Sequence, residues 1–361
     1  MQLQPIPIRL SKLAKSFDHA VKGHIFAVRD VDLEVAPGEL LTLLGPSGCG
    51  KTTTLRMIAG FEQPTAGSIR IGDRDVTALR ANQRNIGFVF QNYAIFPHLS
   101  VFENVGYGLR VQDKPQAEIQ RAVDEVLALV GLTGYARQQP HQLSGGEQQR
   151  IALARAIVIQ PRTLLFDEPL SNLDARLRVQ MREEIRQLQK RLGITTVYVT
   201  HDQEEAMAIS DRIAVMDRGA IAQIGTAEDL YHRPVNEFVA RFIGRTNLLP
   251  GRIRALHPAG ASVEVLGQVL EVAVAAKGLA AGDSVQAMIR PERVTIAADG
   301  GAGLRAVVNG RTFLGEKTEY RLTVGEHPLQ ATVFGDHRFS AAPGAVVRVV
   351  LPADGVHLIA S

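Results

Sequence analysis

The segment 45–52, Gly-Pro-Ser-Gly-Cys-Gly-Lys-Thr, constrains this chain more than any other feature. It matches the pattern GxxxxGK[ST] and lies between an apolar strand predicted at Leu40–Leu44 and a stretch that favours a helix. Glycines at these spacings let backbone N–H groups turn toward a polyphosphate, and the helix N-terminus adds its dipole. An ordinary glycine-rich turn is the alternative, but a strand and a helix in these places favour a P-loop.

The P-loop predicts which residues hold a nucleoside triphosphate and its Mg²⁺. Lys51 would reach the β- and γ-phosphates, and the Thr52 hydroxyl would ligate Mg²⁺. The lone cysteine, Cys49, excludes an internal disulfide, and beside a helix N-terminus its thiol pKa is expected to be lowered. An unreactive filler residue is the alternative for Cys49. The predicted nucleotide-binding residues of this segment are Gly45, Pro46, Ser47, Gly48, Cys49, Gly50, Lys51, Thr52 and Thr53.

A second motif is the apolar strand Thr163–Phe166, which ends in Asp167 and Glu168. Two acids at the end of a buried strand suit a metal-bound nucleotide. Asp167 would hold Mg²⁺ through its coordinated water, and Glu168 would polarise the attacking water. A solvated strand end is the alternative for this motif alone. The two motifs together indicate a P-loop NTPase and leave kinases, recombinases and helicases open.

The composition is that of a folded protein with about two domains. A single hydrophobic core rarely grows beyond ~250–300 residues, so 361 residues favour two. Apolar residues make up 45% and charged residues 21%, which excludes disordered, collagenous and disulfide-scaffold classes. The net charge is only +3 and no dense block of lysine and arginine occurs, so no nucleic-acid partner is expected.

The sequence also predicts where the protein works. It contains no apolar run of ~18 residues, so no membrane-spanning helix is predicted. The N-terminal residues MQLQPIPIRL lack the basic and apolar regions of a signal peptide, and we therefore expect a cytoplasmic protein. If it serves a membrane, it does so through a partner.

Residues 1–240 alternate short apolar strands with helical stretches, which is the βαβ pattern of a parallel sheet. Between residues 101 and 159 helical periodicity continues without a strand, which predicts a helical insert in an α/β core. The predicted helices are Ala117–Val130, Gly145–Ile159 and Arg176–Leu192. The predicted strands are Leu40–Leu44, Ile86–Phe90, Thr163–Phe166, Thr196–Val199 and Arg212–Met216.

After about residue 240 the pattern changes to short β-type runs separated by Gly, Pro and Asp. This predicts a small all-β domain, a barrel or a sandwich. The Ala/Gly-rich stretches 273–282 and 297–303 are interpreted as turns and a flexible connection. The predicted strands are Ser262–Leu266, Val269–Val274, Val285–Arg290, Glu319–Val324 and Val346–Leu351.

The segment Leu143–Arg150, LSGGEQQR, lies between the two nucleotide motifs and narrows the class. It resembles the signature of ABC (ATP-binding cassette) ATPases. Ser144 and the two glycines precede a helix, so they form a second N-terminus that can receive an anion. The resemblance implies that this segment reaches the ATP of a second copy, so that two cassettes enclose two nucleotides head to tail. The implied contact residues are Ser144, Gly145, Gly146, Glu147 and, in the similar D-loop segment 171–174, Asp174.

The same resemblance implies further roles within the cassette. Gln91 resembles the Q-loop glutamine that contacts Mg²⁺ or water, and His201 in VTHD resembles the switch histidine that contacts the γ-phosphate. Phe17 is the implied platform that stacks on adenine. Phe26 is the alternative, because the segment 18–26 is longer than is usual in the family. Glu147 stands where the family more often has Gln, which replaces a donor by an acceptor and would weaken the contact across the dimer.

The region after residue 240 is similar to the TOBE (transport-associated OB-like) domain of importer ATPases. The similarity is carried by Gly244–Pro250, Ile289–Arg293 and Phe313–Glu316. The sequence therefore predicts an α/β P-loop NTPase of the ABC-cassette type with a helical subdomain at about 92–160, followed by a C-terminal all-β OB-like (TOBE) domain. The predicted domain boundaries are 1–241 and 242–361. Oligonucleotide binding, an alternative for OB-like folds, is disfavoured because aromatic residues are sparse there.

These resemblances imply the ATPase subunit of a bacterial ABC importer, peripheral on the cytoplasmic face of the inner membrane. The implied cofactors are ATP and Mg²⁺. The implied partners are a second copy of the chain, an integral-membrane permease, contacted through Gln91–Pro97, and indirectly a solute-binding protein. Ferric iron is the favoured solute, with polyamine and phosphonate close behind. A soluble ABC ATPase of translation or DNA repair is the main alternative, and an exporter cassette is disfavoured by the TOBE-like tail.

Overall fold

The computed structural model describes residues 4–19, 23–273, 278–335 and 339–360. The chain divides into two compact units, Met1–Ala227 and Glu228–Ser361. This division comes before the domain boundary at 241/242, which therefore stays a prediction. None of the helices in the described ranges has the length and apolar character needed to cross a membrane.

The first unit contains ten strands and six α-helices among its described residues, numbered here in chain order. They are β1 (Ile8–His19), β2 (Gly23–Val35), β3 (Leu40–Leu44), α1 (Lys51–Ala59), β4 (Ala66–Ile71), β5 (Arg74–Asp75), β6 (Ile86–Val89), α2 (Val101–Val111), α3 (Gln116–Leu129), α4 (Gly145–Ile157), β7 (Thr163–Asp167), α5 (Ala175–Leu192), β8 (Thr195–Thr200), α6 (Gln203–Ile209), β9 (Arg212–Asp217) and β10 (Ala220–Gly225).

A six-stranded sheet in the order β10-β9-β3-β8-β7-β6 forms the centre of this unit. The strands β9, β3, β8, β7 and β6 run parallel, and β10 joins the edge antiparallel. Every residue of β3, β7 and β8 is buried, as expected for strands covered on both faces. The five strands predicted from the sequence are these five parallel strands, and the α/β prediction is confirmed.

A second sheet of four strands, in the order β2-β1-β4-β5, is antiparallel. This sheet was not predicted from the sequence. Its long strands β1 and β2 alternate buried and exposed residues only in part, because the pairing shifts register after Leu10, Leu13 and Lys15. Such bulges break the period of two by which strands are recognised in a sequence. Residues of this sheet, of α1 and of the parallel sheet share one hydrophobic core.

The helical insert contains α2, α3 and α4, which lie within the predicted range 92–160. Their apolar faces form a second core with α5 and with the parallel sheet. The start of α2 is fixed by Asn104, which is fully buried. Its Nδ2 donates to the carbonyl oxygens of Phe96, Leu99 and Ser100 at 3.0, 2.9 and 3.1 Å. The connection that leads from β6 into the insert is therefore firmly attached to α2.

The second unit is mainly β, as predicted. Its elements, with α7 beginning at the boundary, are α7 (Ala227–His232), α8 (Glu237–Phe242), β11 (Asn247–His257), β12 (Gly260–Val265), β13 (Gln268–Val272), β14 (Ser284–Ile289), β15 (Thr295–Ala298), β16 (Leu304–Phe313), β17 (Lys317–Val324), β18 (His327–Phe334), β19 (Val346–Val350) and β20 (Val356–Ala360).

Two antiparallel sheets make up this unit, in the orders β13-β12-β11-β14-β20 and β15-β19-β16-β17-β18. Both sheets contribute side chains to one hydrophobic core. The all-β prediction is confirmed, and each predicted strand corresponds to an observed one. The end of the strand predicted at Val269–Val274, and part of the stretch 273–282, lie outside the described residues.

Candidate functional site

One edge of the parallel sheet gathers most of the predicted site residues. The P-loop follows β3, Gln91 follows β6, Asp167 and Glu168 stand at the end of β7, and His201 follows β8. Because β3 pairs with β8 and β8 with β7, three neighbouring strands carry the P-loop, the histidine and the acidic pair. Ligands of open α/β sheets bind at the carboxyl ends of the strands, which is this edge.

The P-loop has no room for side chains at two of its glycines. A Cβ on Gly45 would lie 2.4 Å from the carbonyl oxygen of Met216, and one on Gly50 would lie 2.4 Å from that of Ala27. Gly50 is also left-handed, with φ 106°. It stands directly before α1, where no side chain caps the helix. The loop therefore holds its tight shape, and the first N–H groups of α1 are left without a side-chain partner.

Lys51 lies over this loop with its ammonium group turned back onto the loop backbone. Its Nζ donates to the carbonyl oxygens of Gly45 and Pro46 at 2.7 and 3.0 Å, and the residue is only 4% exposed. Ser47 and Gly48, at the tip of the loop, are exposed. A buried ammonium group beside an exposed loop backbone is suited to bind a multiply charged anion such as a polyphosphate.

Thr52, in the first turn of α1, contacts Asp167 at the end of β7. The Thr52 hydroxyl donates to Asp167 Oδ1 at 3.1 Å. Burial raises the pKa of Asp167, while the hydrogen bond from Thr52 opposes that rise. Thr53 follows in the first turn of α1 and is half-buried. Thr52 supplies a hydroxyl oxygen and Asp167 a carboxylate oxygen. These are the ligand types that Mg²⁺ takes when substrate phosphates and water complete its coordination shell.

Cys49 differs from the sequence-based expectation. The expectation was a thiol pKa lowered by the helix N-terminus, but the residue is 3% exposed and burial raises the pKa. The nearby Lys51 ammonium, whose Nζ lies 3.9 Å from Sγ, acts in the opposite direction and is the smaller effect. The expectation of a lowered thiol pKa was therefore wrong, because burial outweighs the effect of the nearby charge.

Glu168 and His201 form a direct pair. His201 Nδ1 lies 3.0 Å from Glu168 Oε2, with the imidazole more than half exposed and the carboxylate mostly covered. Glu168 is a non-glycine residue with a positive φ of 45°, a strained conformation that is commonest at functional sites. Its N–H donates to the carbonyl oxygen of Val199 on β8 at 3.0 Å. The structure therefore brings these two predicted catalytic residues together.

A buried polar cluster beneath His201 was missed by the sequence analysis. Glu205 on α6 is 3% exposed and accepts hydrogen bonds from the hydroxyls of Tyr198 and of Thr200, the latter at 2.5 Å. Burial raises the pKa of Glu205. Thr200 also accepts from the N–H of Asp202 at 3.0 Å. These contacts fix the turn that carries His201. The spacing of an acid four residues after the histidine was the signal available in the sequence.

The signature segment forms the start of α4 and caps itself. The Ser144 N–H and hydroxyl both donate to Glu147 Oε2 at 2.8 Å, and the Glu147 N–H donates to Ser144 Oγ at 3.4 Å. These hydrogen bonds lower the pKa of Glu147. A Cβ on Gly145 would lie 3.2 Å from the Leu173 side chain, and one on Gly146 3.1 Å from that of Leu177.

Asp174, the predicted D-loop residue, caps the next helix. Its Oδ1 accepts from the Leu177 N–H, the third residue of α5, at 3.0 Å. Among the described residues, no hydrogen bond or ion pair joins Asp174, Ser144 or Glu147 to the P-loop. Within one chain, Ser144, Glu147 and Asp174 are therefore engaged in capping their own helices rather than in contacts with the P-loop.

Gln91 starts the connection from β6 to the helical insert. Its carbonyl oxygen accepts a hydrogen bond from Asn172 Nδ2 at 2.9 Å, and its side chain is exposed. Arg155, which the sequence analysis did not single out, donates to the carbonyl oxygens of Tyr93 and Ala94, both at 2.7 Å. The same connection is therefore held by the D-loop and by α4.

The two candidate adenine platforms stand on neighbouring strands. Phe17 on β1 pairs with Ile25, one position from Phe26 on β2. Both rings are exposed, at 44% and 42%. Lys15 Nζ lies 4.9 Å from the centre of the Phe17 ring. Because both rings are exposed on adjacent strands, Phe17 and Phe26 both stay candidates for stacking on adenine.

Two family models match the chain. The ABC transporter model matches residues 28–171, and the TOBE domain model matches residues 287–359. The first range contains the P-loop, the signature and the acidic pair. The second lies within the β unit.

The chain is also similar to curated relatives over most of its length. It is 46% identical over 354 residues, 97% of this chain and 93% of the relative, to a spermidine/putrescine import ATP-binding protein of Rubrobacter xylanophilus. It is 48% identical over 320 residues, 89% of this chain and 88% of the relative, to an Fe(3+) ions import ATP-binding protein of Rhizobium etli. A solved ATP-binding cassette, a dimer in a post-hydrolysis state with ADP and Pi, matches with a TM-score of 0.55 and 30% identity, covering 61% of this chain and 98% of the cassette.

Proposed function

The chain belongs to the ABC transporter family as an import ATP-binding subunit, and from that premise we propose that it hydrolyses ATP to drive solute uptake through a separate membrane permease. The observation that carries the proposal is the single sheet edge that holds a P-loop lysine, a threonine–aspartate pair and a glutamate–histidine pair. Each pair has a distinct task in phosphoryl transfer to water.

The P-loop residues Gly45 to Thr53 bind the phosphates. Lys51 now donates to two carbonyl oxygens of its own loop. In the proposed complex its Nζ turns to the β- and γ-phosphates, which offer more charge than neutral carbonyls. The backbone N–H groups at the start of α1 complete the cradle.

Thr52, Asp167 and Gln91 are the residues proposed to hold Mg²⁺. The Thr52 hydroxyl and the Asp167 carboxylate already lie within hydrogen-bond distance, and both offer hard oxygen atoms. The raised pKa of Asp167 reflects a carboxylate buried without a full charge partner, which fits a cation. When bound, Mg²⁺ supplies charge neutralisation on the phosphate oxygens.

Glu168 is the proposed general base, and His201 holds it. Because Oε2 of Glu168 is paired with His201 Nδ1, we assign Oε1 to the attacking water. As the water oxygen bonds to the γ-phosphorus, the bond to ADP breaks and the water proton passes to Oε1. The exposed side of His201 contacts the γ-phosphate. The buried Glu205 cluster keeps the imidazole in this position.

A second copy of the chain completes each site. The proposed trans residues are Ser144, Gly145, Gly146, Glu147 and Asp174, which act on the ATP of the opposite copy. Support comes from the described hydrogen bonds of Ser144, Glu147 and Asp174, none of which goes to the P-loop of the same chain, and from the dimeric form of the similar cassette. Phe17, or its rival Phe26, stacks on adenine.

The permease partner would be contacted through Gln91–Pro97, and the subunit would lie on the cytoplasmic face of the inner membrane. The relatives named above import polyamines or Fe(3+) ions. We propose one of these two as the solute, delivered by a solute-binding protein, since the ATPase itself responds to conformation rather than to cargo.

The Glu168→Gln variant tests the hydrolytic assignment. It removes the base but keeps the size of the side chain, so ATP binding and dimer formation are retained while turnover falls at least about 100-fold. Turnover is measured as phosphate release and dimerisation by sedimentation with ATP. Glu204→Gln, on the exposed face of α6, is the matched control and leaves turnover unchanged. Turnover by Glu168→Gln equal to that of the control contradicts the role of Glu168.

The importer assignment is tested by purifying the tagged chain from its native membranes. A stoichiometric multi-span partner is expected, and the ATPase of that complex is expected to rise with Fe³⁺ or with spermidine when the solute-binding protein is added. The solute that stimulates it identifies the cargo. A chain that hydrolyses ATP with no membrane partner would support the soluble ABC ATPase instead.

A further inference from the structure

The connection after β6 contains two adjacent residues in a conformation that non-glycine residues seldom adopt. Tyr93 has φ 59° and Ala94 has φ 48°. Such left-handed residues cost free energy, and they persist only where the surrounding structure holds them. Tyr93 is 7% exposed, with its side chain in the core of the helical insert. This turn lies two positions after Gln91, so it determines how the chain leaves the proposed Mg²⁺ site.

One side chain of α4 holds this turn. The two terminal nitrogens of Arg155 donate to the carbonyl oxygens of Ala94 and Tyr93, each at 2.7 Å. The guanidinium also lies 5.4 Å from the centre of the Phe96 ring. A planar fork with two donors suits two successive carbonyls, whereas a lysine ammonium offers no such fork.

The ends of the same segment are held by other elements. Asn172 of the D-loop donates to the Gln91 carbonyl oxygen at 2.9 Å. Asn104 of α2 accepts from the Phe96 N–H at 2.8 Å and donates to its carbonyl oxygen at 3.0 Å. Residues 91–96 are thus attached at three points, and of these three only the Arg155 contact belongs to α4, the helix that follows Ser144.

We propose that Arg155 is a positioning residue that makes α4 and the turn at Tyr93–Ala94 move as one body. Arg155 lies about 15 Å along α4 from its first residue, at a rise of ~1.5 Å per residue. A displacement of the signature end of α4 therefore reaches Gln91 through a rigid helix and two hydrogen bonds. The proposal rests on the proposed function, because it assumes that Gln91 acts at the ATP site.

A matched control lies on the same helix. Arg150 donates to the carbonyl oxygen of Val130, directly after α3, at 3.0 Å and pairs with Glu184 on α5. None of its hydrogen bonds in the described part of the chain goes to residues 91–97. Arg150→Lys and Arg155→Lys thus make the same chemical change in one helix, and only the second alters the turn.

Hydrogen exchange of the full chain without nucleotide provides the first measurement. The Tyr93 and Ala94 N–H groups donate to Phe90 and Asn92 carbonyl oxygens at 3.0 and 2.6 Å. In Arg155→Lys the exchange of segment 91–97 is expected to accelerate about tenfold, because the turn loses its two-point hold. In Arg150→Lys it stays unchanged. Equal exchange of segment 91–97 in the two variants overturns the proposal, whatever the ATPase activity is.

ATPase kinetics provide the second measurement. Arg155→Lys is expected to lower kcat about tenfold with the ATP dissociation constant within twofold, because the P-loop binds phosphate without α4. Adding Ala94→Gly is expected to restore kcat, since glycine adopts the left-handed turn without a hold. A merely structural role of Arg155 gives no such rescue. If Arg155→Lys fails to fold, the double variant is expected to fold, and its failure also overturns the proposal.

The two proposals fail in different ways. If Glu168→Gln turns over ATP normally, the proposed function fails, while the exchange of segment 91–97 still decides the role of Arg155. If exchange accelerates in Arg155→Lys but kcat is unchanged, the hold by Arg155 is supported and the role of Gln91 is contradicted.

Discussion

Two helices of the first unit begin at loops that the sequence assigns to phosphate, and their N-termini are built differently. α1 begins after the left-handed Gly50, with no side-chain cap and no acid in its first turn. α4 begins after Ser144, which forms a capping box with Glu147. The first helix leaves its N–H groups to a ligand, whereas the second satisfies one of them with the Ser144 hydroxyl and keeps a carboxylate beside them.

The two N-termini therefore suit the two different roles proposed for them. A phosphate cradle completed within one chain can keep its donors free, because its shape is set by close backbone contacts at Gly45 and Gly50. A segment that acts only across a dimer interface spends part of its time in water. Its own Ser144–Glu147 box stabilises the helix there, and a phosphate has to compete with the box.

The molecule contains an internal control for this comparison. Ser100 and Glu103 form the same capping box at the start of α2, with Ser100 N–H and hydroxyl donating to Glu103 Oε2 at 2.8 Å. Neither residue is assigned to the nucleotide. Glu147 differs from Glu103 within the chain by a hydrogen bond from the Tyr135 side chain. A difference in dimerisation between variants of the two acids therefore tests the proposed interface, with Tyr135 as the one added contact of the box at α4.

The largest expected effect comes from replacing Gly50, the P-loop glycine directly before α1. In Gly50→Ala the new Cβ collides with the Ala27 carbonyl oxygen and the left-handed φ becomes strained, so the loop must shift. We expect ATP binding to weaken about 100-fold and unfolding free energy to fall by roughly 2–4 kcal/mol. A fluorescent nucleotide titration and denaturant unfolding measure the two effects.

Gly48→Ala is the matched control for that variant. Gly48 is also left-handed, with φ 80°, but nothing lies within 4 Å of its added Cβ. It shares the backbone strain without the collision, so a smaller loss is expected. Equal losses in the two variants would show that strain alone, and not the approach of β2, sets the shape of the cradle.

A smaller effect is expected from removing the charge at the capped N-terminus of α4. Glu147→Gln keeps the size of the side chain but places no anion near the incoming γ-phosphate. In the Glu168→Gln background we expect ATP-driven dimerisation to strengthen roughly two- to fivefold, the range of a charge at a helix N-terminus. Sedimentation at fixed salt measures it. Glu103→Gln should leave dimerisation unchanged, and a similar gain there would contradict the interface role of Glu147.

The same pair of variants has a pH signature. The folded pKa of Glu147 is lowered, first by the Ser144 hydroxyl, so the box contributes stability above the unfolded pKa of ~4.3 and loses it as pH falls through the folded pKa. The midpoint temperature of thermal unfolding should therefore fall less steeply between about pH 6 and about pH 3 in Glu147→Gln than in the wild type. Glu103, whose pKa is lowered by Ser100, should behave alike.

The sequence predicted the parts of the site that depend on short spacing. The P-loop between β3 and α1, the acids after β7 and the histidine after β8 are each adjacent to an apolar strand, and a parallel sheet brings such ends together. It also predicted the helical insert and the β unit, because apolar periodicity there is regular.

The sequence could not supply contacts made between distant segments. Arg155 faces Tyr93 and Ala94 only after α4 packs on the connection from β6, and no local pattern marks an arginine that bonds carbonyls. The predicted direction of the Cys49 pKa shift was wrong for the same reason. The effect of a helix N-terminus can be inferred locally, but the burial of the thiol among residues of the antiparallel sheet and Met216 cannot. The strand β1 could not be recognised from hydrophobic periodicity, because its bulges interrupt the alternation.

The order of strands in the parallel sheet also bears on how the protein is made. Thr52 and Asp167 are 115 positions apart, and the Gly38–Thr195 contact that closes β3 against β8 spans 157. Because a chain leaves the ribosome from its N-terminus, the P-loop emerges long before Glu168, the proposed general base, and its partner His201. A polypeptide released before His201 is made therefore lacks one of the residues proposed for hydrolysis, and a polypeptide released before Glu168 lacks both.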